Sequence, residues 1–361
     1  MPTRHHIHPV QATRAFVERH RLAAIFIVGG VLLAIAASVA LYLYNQRPSA
    51  AIDTTPRAIK KPAAVKYYSP LTGVEVADQA ATTQAVTAIM IENSPDARPQ
   101  SGLKQAGIVY EAIAEGGITR FLAVYQESKP QLIGPVRSVR MYYIDWAAPY
   151  NASIAHVGGS AAALAEVRSG SYRDLDQFFH EGSYWRASDR YAPHNVYTSF
   201  AKLDALNASK NYTASTFTGF PRQDTKVPAT LTAESIDIII SSTWYNTHYD
   251  YDATSNTYLR SVGGKPSNDR EEGRLAPNVV IAMKVNMASI FEDGWREDIT
   301  TSGSGVADIF QNGTVIEATW RKNSRTEQLE FLDTTGKPIA LNRGQTWIAA
   351  VPNGSGDIQW Q

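Results

Sequence analysis

The chain has no cysteine in 361 residues. Disulfides, thiolate metal sites, cysteine nucleophiles and lipid attachment through cysteine are therefore all excluded, and any part outside the cytoplasm must be held together by packing alone. It also lacks a GxSxG nucleophile elbow, a phosphate-binding P-loop and a dinucleotide fingerprint, which takes weight from the standard soluble-enzyme classes and leaves no cofactor to expect. Histidine is scarce. Of eight, His5, His6, His8 and His20 fall in the N-terminal tail, and the other four show no paired ligand spacing, so no metal site is expected. The acidic stretches YDYDATSN (249–256) and NDREEG (268–273) do not follow an EF-hand pattern and read as solvated turns.

Neither sign of charge dominates, with 34 Lys and Arg against 34 Asp and Glu, but the distribution is uneven. Residues 1–66 carry nine basic and two acidic side chains, leaving 25 basic and 32 acidic in residues 67–361, a net charge of −7. Nucleic-acid binding by this larger part is therefore not expected, since it needs a concentrated positive surface.

The run Leu22–Tyr44, LAAIFIVGGVLLAIAASVALYLY, has no charged residue over 23 positions. At about 1.5 Å per residue it spans the roughly 30 Å of a bilayer core. Arg4, Arg14, Arg19 and Arg21 precede it against the single acid Glu18, the arrangement of a cytoplasmic N-terminus. The alternative is a cleaved signal peptide with small residues at Ala37–Ala40, but the apolar run continues through LYLY, beyond a normal signal core. The expected organisation is a cytoplasmic tail (1–21), a transmembrane helix (22–44), a flexible Pro- and Ala-rich linker (45–66) and two extracytoplasmic segments (67–226 and 227–361). A single-pass protein of the cell membrane follows, with its N-terminus inside and its bulk outside.

In the first outer segment apolar runs alternate with glycine turns and helix-like stretches, predicting an α+β or α/β domain. Val86–Glu92 reads as a buried strand, 138–148 as a helix, and AAALAEVR after Gly158-Gly159-Ser160 as another. The stretch EAIAEGGITR (111–120) predicts a hairpin with a two-residue Gly116-Gly117 turn. That register places Glu115 opposite Ile118, Ile113 opposite Arg120 and Glu111 opposite Leu122, with all six on one face. From about Leu231 the pattern becomes mainly antiparallel β, with strands at Ile236–Ser241, Trp244–Tyr251, Thr257–Ser261, Val279–Val285, Val306–Gln311 and Thr314–Arg321. Asn312-Gly313 is its strongest hairpin signal.

Five polar stretches, 91–102, 111–120, 133–140, 156–162 and 192–199, flank apolar runs and could meet at strand ends, where ligands bind in open α/β sheets. An anion site is the most physical reading. Gly158, Gly159 and Ser160 would open a helix whose free N–H groups face a negative group, and Arg120, Arg137 and Arg140 would supply forked donors, with Glu111 and Glu115 orienting Arg120. His194 and Asn195 join the candidate binding set. The competing reading is a tight turn with a cap, and arginines paired on the surface. An enzyme would need acid and base groups from Glu111, Glu115, Asp145, His156, Asp189 or His194. Glu111 and Glu115 alone do not make a glycosidase pair, since four residues along a strand put them roughly 13 Å apart.

These segments also carry a family resemblance. IENSPDARPQSGLKQAGIVYEAIAEGGITRFLAVYQ, IGPVRSVR, HVGGS, APHNVYTS and the later GSGVADIFQNGTVIEATWRK and GKPIALNRGQTWIAAVP resemble the YerB-like family of bacterial envelope proteins over about residues 67–355. The resemblance implies an anchored extracytoplasmic protein of two domains whose function is not established. Several relatives look like lipoproteins; this chain, without cysteine, has Leu22–Tyr44 instead. The family offers no catalytic residues to carry over. The expected function is binding of an anionic envelope ligand, a peptidoglycan carboxylate or a polymer phosphate. One alternative is a hydrolase or lyase acting on cell-wall glycan or peptide through Glu111 or Glu115 and His156. The other is a scaffold for another membrane protein, with an apolar patch around Trp146 or Trp185.

Overall fold

A computed structural model describes residues 9–48, 65–226 and 228–361. The chain divides into two compact units, Met1–Ala63 and Ala64–Gln361. In the first, helix α1 (Pro9–Asn45) contains the apolar stretch Ala23–Asn45, long and apolar enough to cross a bilayer. Positions 1–8 of the expected tail and most of the expected linker, 49–64, lie outside the described residues.

In the second unit the main elements from the first outer segment are β1 (Thr87–Glu92), β2 (Ile108–Ile113), β3 (Thr119–Tyr125), α2 (Met141–Ala147), β4 (Ser153–His156), α3 (Ala161–Val167), β5 (Arg173–Asp176) and α4 (Phe200–Ser209). The second segment adds β6 (Ser235–Ile239), β7 (Thr247–Asp252), β8 (Thr257–Val262), β9 (Lys265–Pro266), β10 (Val279–Val285), β11 (Met287–Phe291), β12 (Trp295–Ile299), β13 (Gly303–Gln311), β14 (Thr314–Lys322), β15 (Glu330–Leu332), β16 (Thr346–Pro352) and β17 (Asp357–Trp360). The first segment is thus mixed α and β and the second mainly antiparallel β, as the sequence pattern indicates.

Both segments contribute to one ten-stranded sheet in the order β15-β14-β13-β10-β16-β2-β3-β1-β4-β5. The join is β16, which runs parallel to β10 on one side and to β2 on the other. Its sequence, TWIAAVP, is buried at every position, as is TAIMIE in β1, because a strand covered on both faces has no solvent side on which to place polar residues. One face of the sheet carries a single core that includes Tyr110, Leu122, Ile281 and Ile348, covered in part by α2 and α3. The other face is split. Phe200 and Leu203 of α4 cover the first-segment strands, whereas a second sheet, β9-β8-β7-β6-β17, covers the others through Ile236, Ile238, Tyr249 and Tyr258.

Helix α2 is short but buried from Tyr142 to Ala147, so packing rather than propensity holds it. Trp146 stacks on Tyr110 with ring centroids 5.3 Å apart and planes 9° from parallel, a contact worth about 0.5–1.5 kcal/mol beyond its buried area. Trp146 therefore belongs to the core and forms no exposed patch; Trp185 is partly exposed. The Asn312-Gly313 hairpin forms as expected, with φ of 58° and 68° and Gln311 paired to Thr314.

The 111–120 hairpin differs from the expected register by one residue. Glu111 pairs with Phe121, Ala112 with Arg120 and Ile113 with Thr119, and Ala114 N–H donates to Ile118 O. The loop is thus Glu115-Gly116-Gly117, three residues rather than two, with both glycines at positive φ (61° and 75°). A one-residue slip moves every β3 side chain to the other face. Glu111 and Arg120 consequently point to opposite sides of the sheet, and the single polar face expected for Glu111, Glu115 and Arg120 does not exist.

Candidate ligand-binding site

Glu111 is fully engaged inside the fold. Its Oε2 lies 2.8 Å from Arg260 Nη2 and accepts from Trp347 Nε1 at 2.9 Å, while Oε1 accepts from Thr119 Oγ1 at 3.0 Å. Arg260 is itself buried, with its guanidinium 4.5 Å above the Trp347 ring centroid. A carboxylate closed in this way cannot orient Arg120 or meet a substrate, which corrects both roles considered for Glu111. Asp145 is likewise held, by Arg325 Nε at 2.6 Å and Thr301 Oγ1 at 2.6 Å, and Asp189 pairs with Arg270 at 2.5 Å on the surface.

His156 is a core histidine. Its Nε2 is 2.9 Å from Asp174 Oδ1 and its Nδ1 is 2.8 Å from Gly158 O, so neither ring nitrogen is open to a substrate. Asn195 staples its own loop, accepting from Arg186 Nη1 at 2.7 Å and donating to Ala187 O and Arg190 O at 3.2 Å. Ser160 caps α3 by accepting from Ala163 N–H. The Glu292 carboxylate accepts from the Ala162 N–H at the same helix start, so the anion at this turn is part of the chain. Gly158 and Gly159 shape the turn, and the Gly158 carbonyl accepts from Val139 N–H.

Three other expected residues, Arg120, Arg140 and Glu115, meet at the start of β3. Arg120 Nη2 is 3.4 Å from Glu115 Oε2, Arg140 Nε bonds Glu115 Oε1, and Arg296 Nε of β12 lies 3.8 Å from the same oxygen. Three guanidinium groups thus gather around one carboxylate, and Asp293 pairs with Arg296 at 2.9 Å from the side. Burial raises the Glu115 carboxyl, but the Arg140 hydrogen bond and the Arg120, Arg140 and Arg296 charges outweigh it and hold the group below its usual range. Burial, then the Arg140 cation, depress the Arg120 guanidinium, which remains charged. Arg120 also donates to Ser138 O at 2.8 Å and Arg140 to Val139 O at 2.6 Å, so the 138–140 chain is laced to the cluster.

The remaining pair, Arg137 and His194, converges on Glu92, a residue not singled out from the sequence. His194 Nδ1 is 2.9 Å and Arg137 Nε 3.3 Å from Glu92 Oε1, and Ser94 Oγ donates to that oxygen at 3.0 Å. Glu92 Oε2 is buried with no hydrogen-bond partner among the described residues. His194 Nε2 comes no closer than 4.0 Å to Asp96 Oδ2, beyond hydrogen-bond length, so it stays available. Strand pairing sets Glu92 directly opposite Arg120, so the two groups share one end of the sheet. The signal for Glu92 was present in the sequence as the single carboxylate closing an otherwise apolar strand. Arg296, in the other family segment from Arg140, carried none. Among the described residues no group of three His, Asp or Glu is placed to hold a metal ion.

Residues 71–213 match the N-terminal domain, and residues 236–348 the C-terminal domain, of a family described as "Protein of unknown function (DUF3048)". A Bacillus subtilis (strain 168) protein named "Putative lipoprotein YerB" is 34% identical over 296 residues, covering 80% of this chain and 88% of its own length. The chain belongs to the YerB-like family. A solved structure, titled as the crystal structure of YerB protein from Bacillus subtilis, superposes with a TM-score of 0.73 at 32% identity, covering 81% of this chain and all of that one. The chain's two YerB-like segments are therefore those that build the shared ten-stranded sheet.

Proposed function

We propose that this YerB-like protein is a membrane-anchored, extracytoplasmic module that binds an anionic ligand of the cell envelope. Its N-terminal tail would lie in the cytoplasm, since close to the apolar run more basic residues precede it (Arg14, Arg19 and Arg21) than follow it (Arg47). The ligand would be a peptidoglycan stem-peptide carboxylate or a polymer phosphate. The observation that carries the reading is the gathering of Arg120, Arg140 and Arg296 on Glu115, a local positive excess in a body of net charge −7, with Arg137 beside it. Arg137 and Arg296 are the partly exposed members and would make first contact. The test is titration of the full chain in detergent with muropeptides and with glycerol-phosphate oligomers. Arg137→Ala and Arg296→Ala should each weaken binding at least tenfold, and unchanged affinity in both rejects the site.

A second reading, an envelope hydrolase or lyase, is favoured by one observation: a carboxylate-oriented histidine, Glu92–His194, with its Nε2 free. Turnover of purified cell wall that His194→Gln abolishes while the fold is kept would support it.

A further inference from the structure

A cleft of about 290 Å³ lies at the seam of the two family segments, close to the roughly 300 Å³ at which ligand pockets begin. Pro95 and Pro99 wall it from the first segment, and Trp244 and Pro266 from the second. Trp244 is 61% exposed, a large ring at the lip. Its backbone is nonetheless fixed, because Arg98 Nη2 donates to Trp244 O at 3.0 Å.

Arg98 is also a lining residue. It is locked in place by Nε donating to Asn93 Oδ1 and Nη2 to Asn93 O, both at 3.0 Å, with its face 5.3 Å from the Tyr245 ring centroid. Its Nη1 donates to no described residue. Across the cleft Lys265 presents an ammonium that is exposed and likewise without an ion pair among the described residues. Arg98 is thus pre-positioned as a forked donor, and the buried Arg260 nearby is already neutralised by Glu111.

We propose that this cleft binds a saccharide bearing a carboxylate, its ring stacked on Trp244 and its carboxylate held between Arg98 and Lys265. An exposed indole face between prolines suits the apolar face of a sugar ring, and a neutral ligand would leave both cations unpaired. In a body of net charge −7, two cations that form no ion pair among the described residues, at one cleft, select for an acid. The inference draws on the envelope location proposed above but not on the arginine cluster, and its variants touch none of that cluster's residues.

The test is isothermal titration of the full chain in detergent with two disaccharides that differ by one ether-linked lactate, which carries the carboxylate: N-acetylglucosaminyl-N-acetylmuramic acid and N,N′-diacetylchitobiose. The acidic sugar should bind at least tenfold more tightly. Trp244→Ala should weaken it at least tenfold, and Lys265→Gln should remove most of the preference for the acid. Equal affinity for the two sugars, no binding of either, or unchanged affinity in both variants overturns the proposal. So does a proline-rich acidic peptide that binds competitively and more tightly than either sugar.

Discussion

Glu111 and Arg260, separated by 149 residues, form a buried ion pair at 2.8 Å that joins the two family segments. The first prediction concerns this pair. Glu111→Gln leaves a guanidinium buried without a counter-charge, which should cost about 3–5 kcal/mol. All seven tryptophans lie after residue 145, so urea unfolding of the full chain followed by tryptophan fluorescence reports the second unit alone. A loss below about 1 kcal/mol would mean that the pair contributes little.

Acid should act through Glu115. Its folded carboxyl titrates below the ordinary value of 4.5, so its contribution is complete above that value and is lost as pH falls through the folded one. The full chain should lose stability on acidification below about pH 4.5. Glu115→Gln should flatten that part of the profile; an unchanged acid limb would contradict the assignment.

Lys322 works in the opposite direction from an ordinary salt-bridged lysine. Burial depresses its ammonium from 10.5 to about 8, and its Nζ donates to the Ser324 and Arg325 carbonyls at 2.5 Å. Between those two values the unfolded chain holds more protons than the folded one, so stability rises with pH from about 8 to 10.5. Lys322→Met should remove that rise in urea midpoints measured across the window, and persistence of the slope would assign it to another group.

The hairpin loop gives a local test. Gly117 sits at φ +75°, and a Cβ there would lie 2.9 Å from Ser241 Oγ. Gly117→Ala should destabilise by about 1–2 kcal/mol from the left-handed backbone alone. The double variant with Ser241→Ala should recover only the steric part. A neutral Gly117→Ala would contradict the three-residue loop.

What could be read from the sequence follows the range of the interactions involved. Asn312-Gly313 was legible because two adjacent residues specify a turn without help from the rest of the chain. The 111–120 register was not, because two- and three-residue loops both accept Gly-Gly, and tertiary contacts on both sheet faces select between them. Placing Trp347 of β16 beside Glu111, and Arg296 beside Arg140, depends on pairings between one family segment and the other. Arg137 and His194 were picked out by residue type, but their common partner Glu92 looked like the end of an apolar strand. Charge on a buried strand is costly unless paired, so such a residue is a pointer in its own right.

The central position of β16 also constrains the order in which the molecule can assemble. Chains emerge from the N-terminus, and β2 is made long before the strand that covers its open edge, with nearly all of the second segment in between. Until Pro352 is available, β2 presents an unpaired apolar edge, the kind of surface that recruits other strands. Nucleation from such distant pairings is slow. A chain cut short just before β16 would therefore lose its middle rather than its margin, and quality control in the cell should treat it as unfolded.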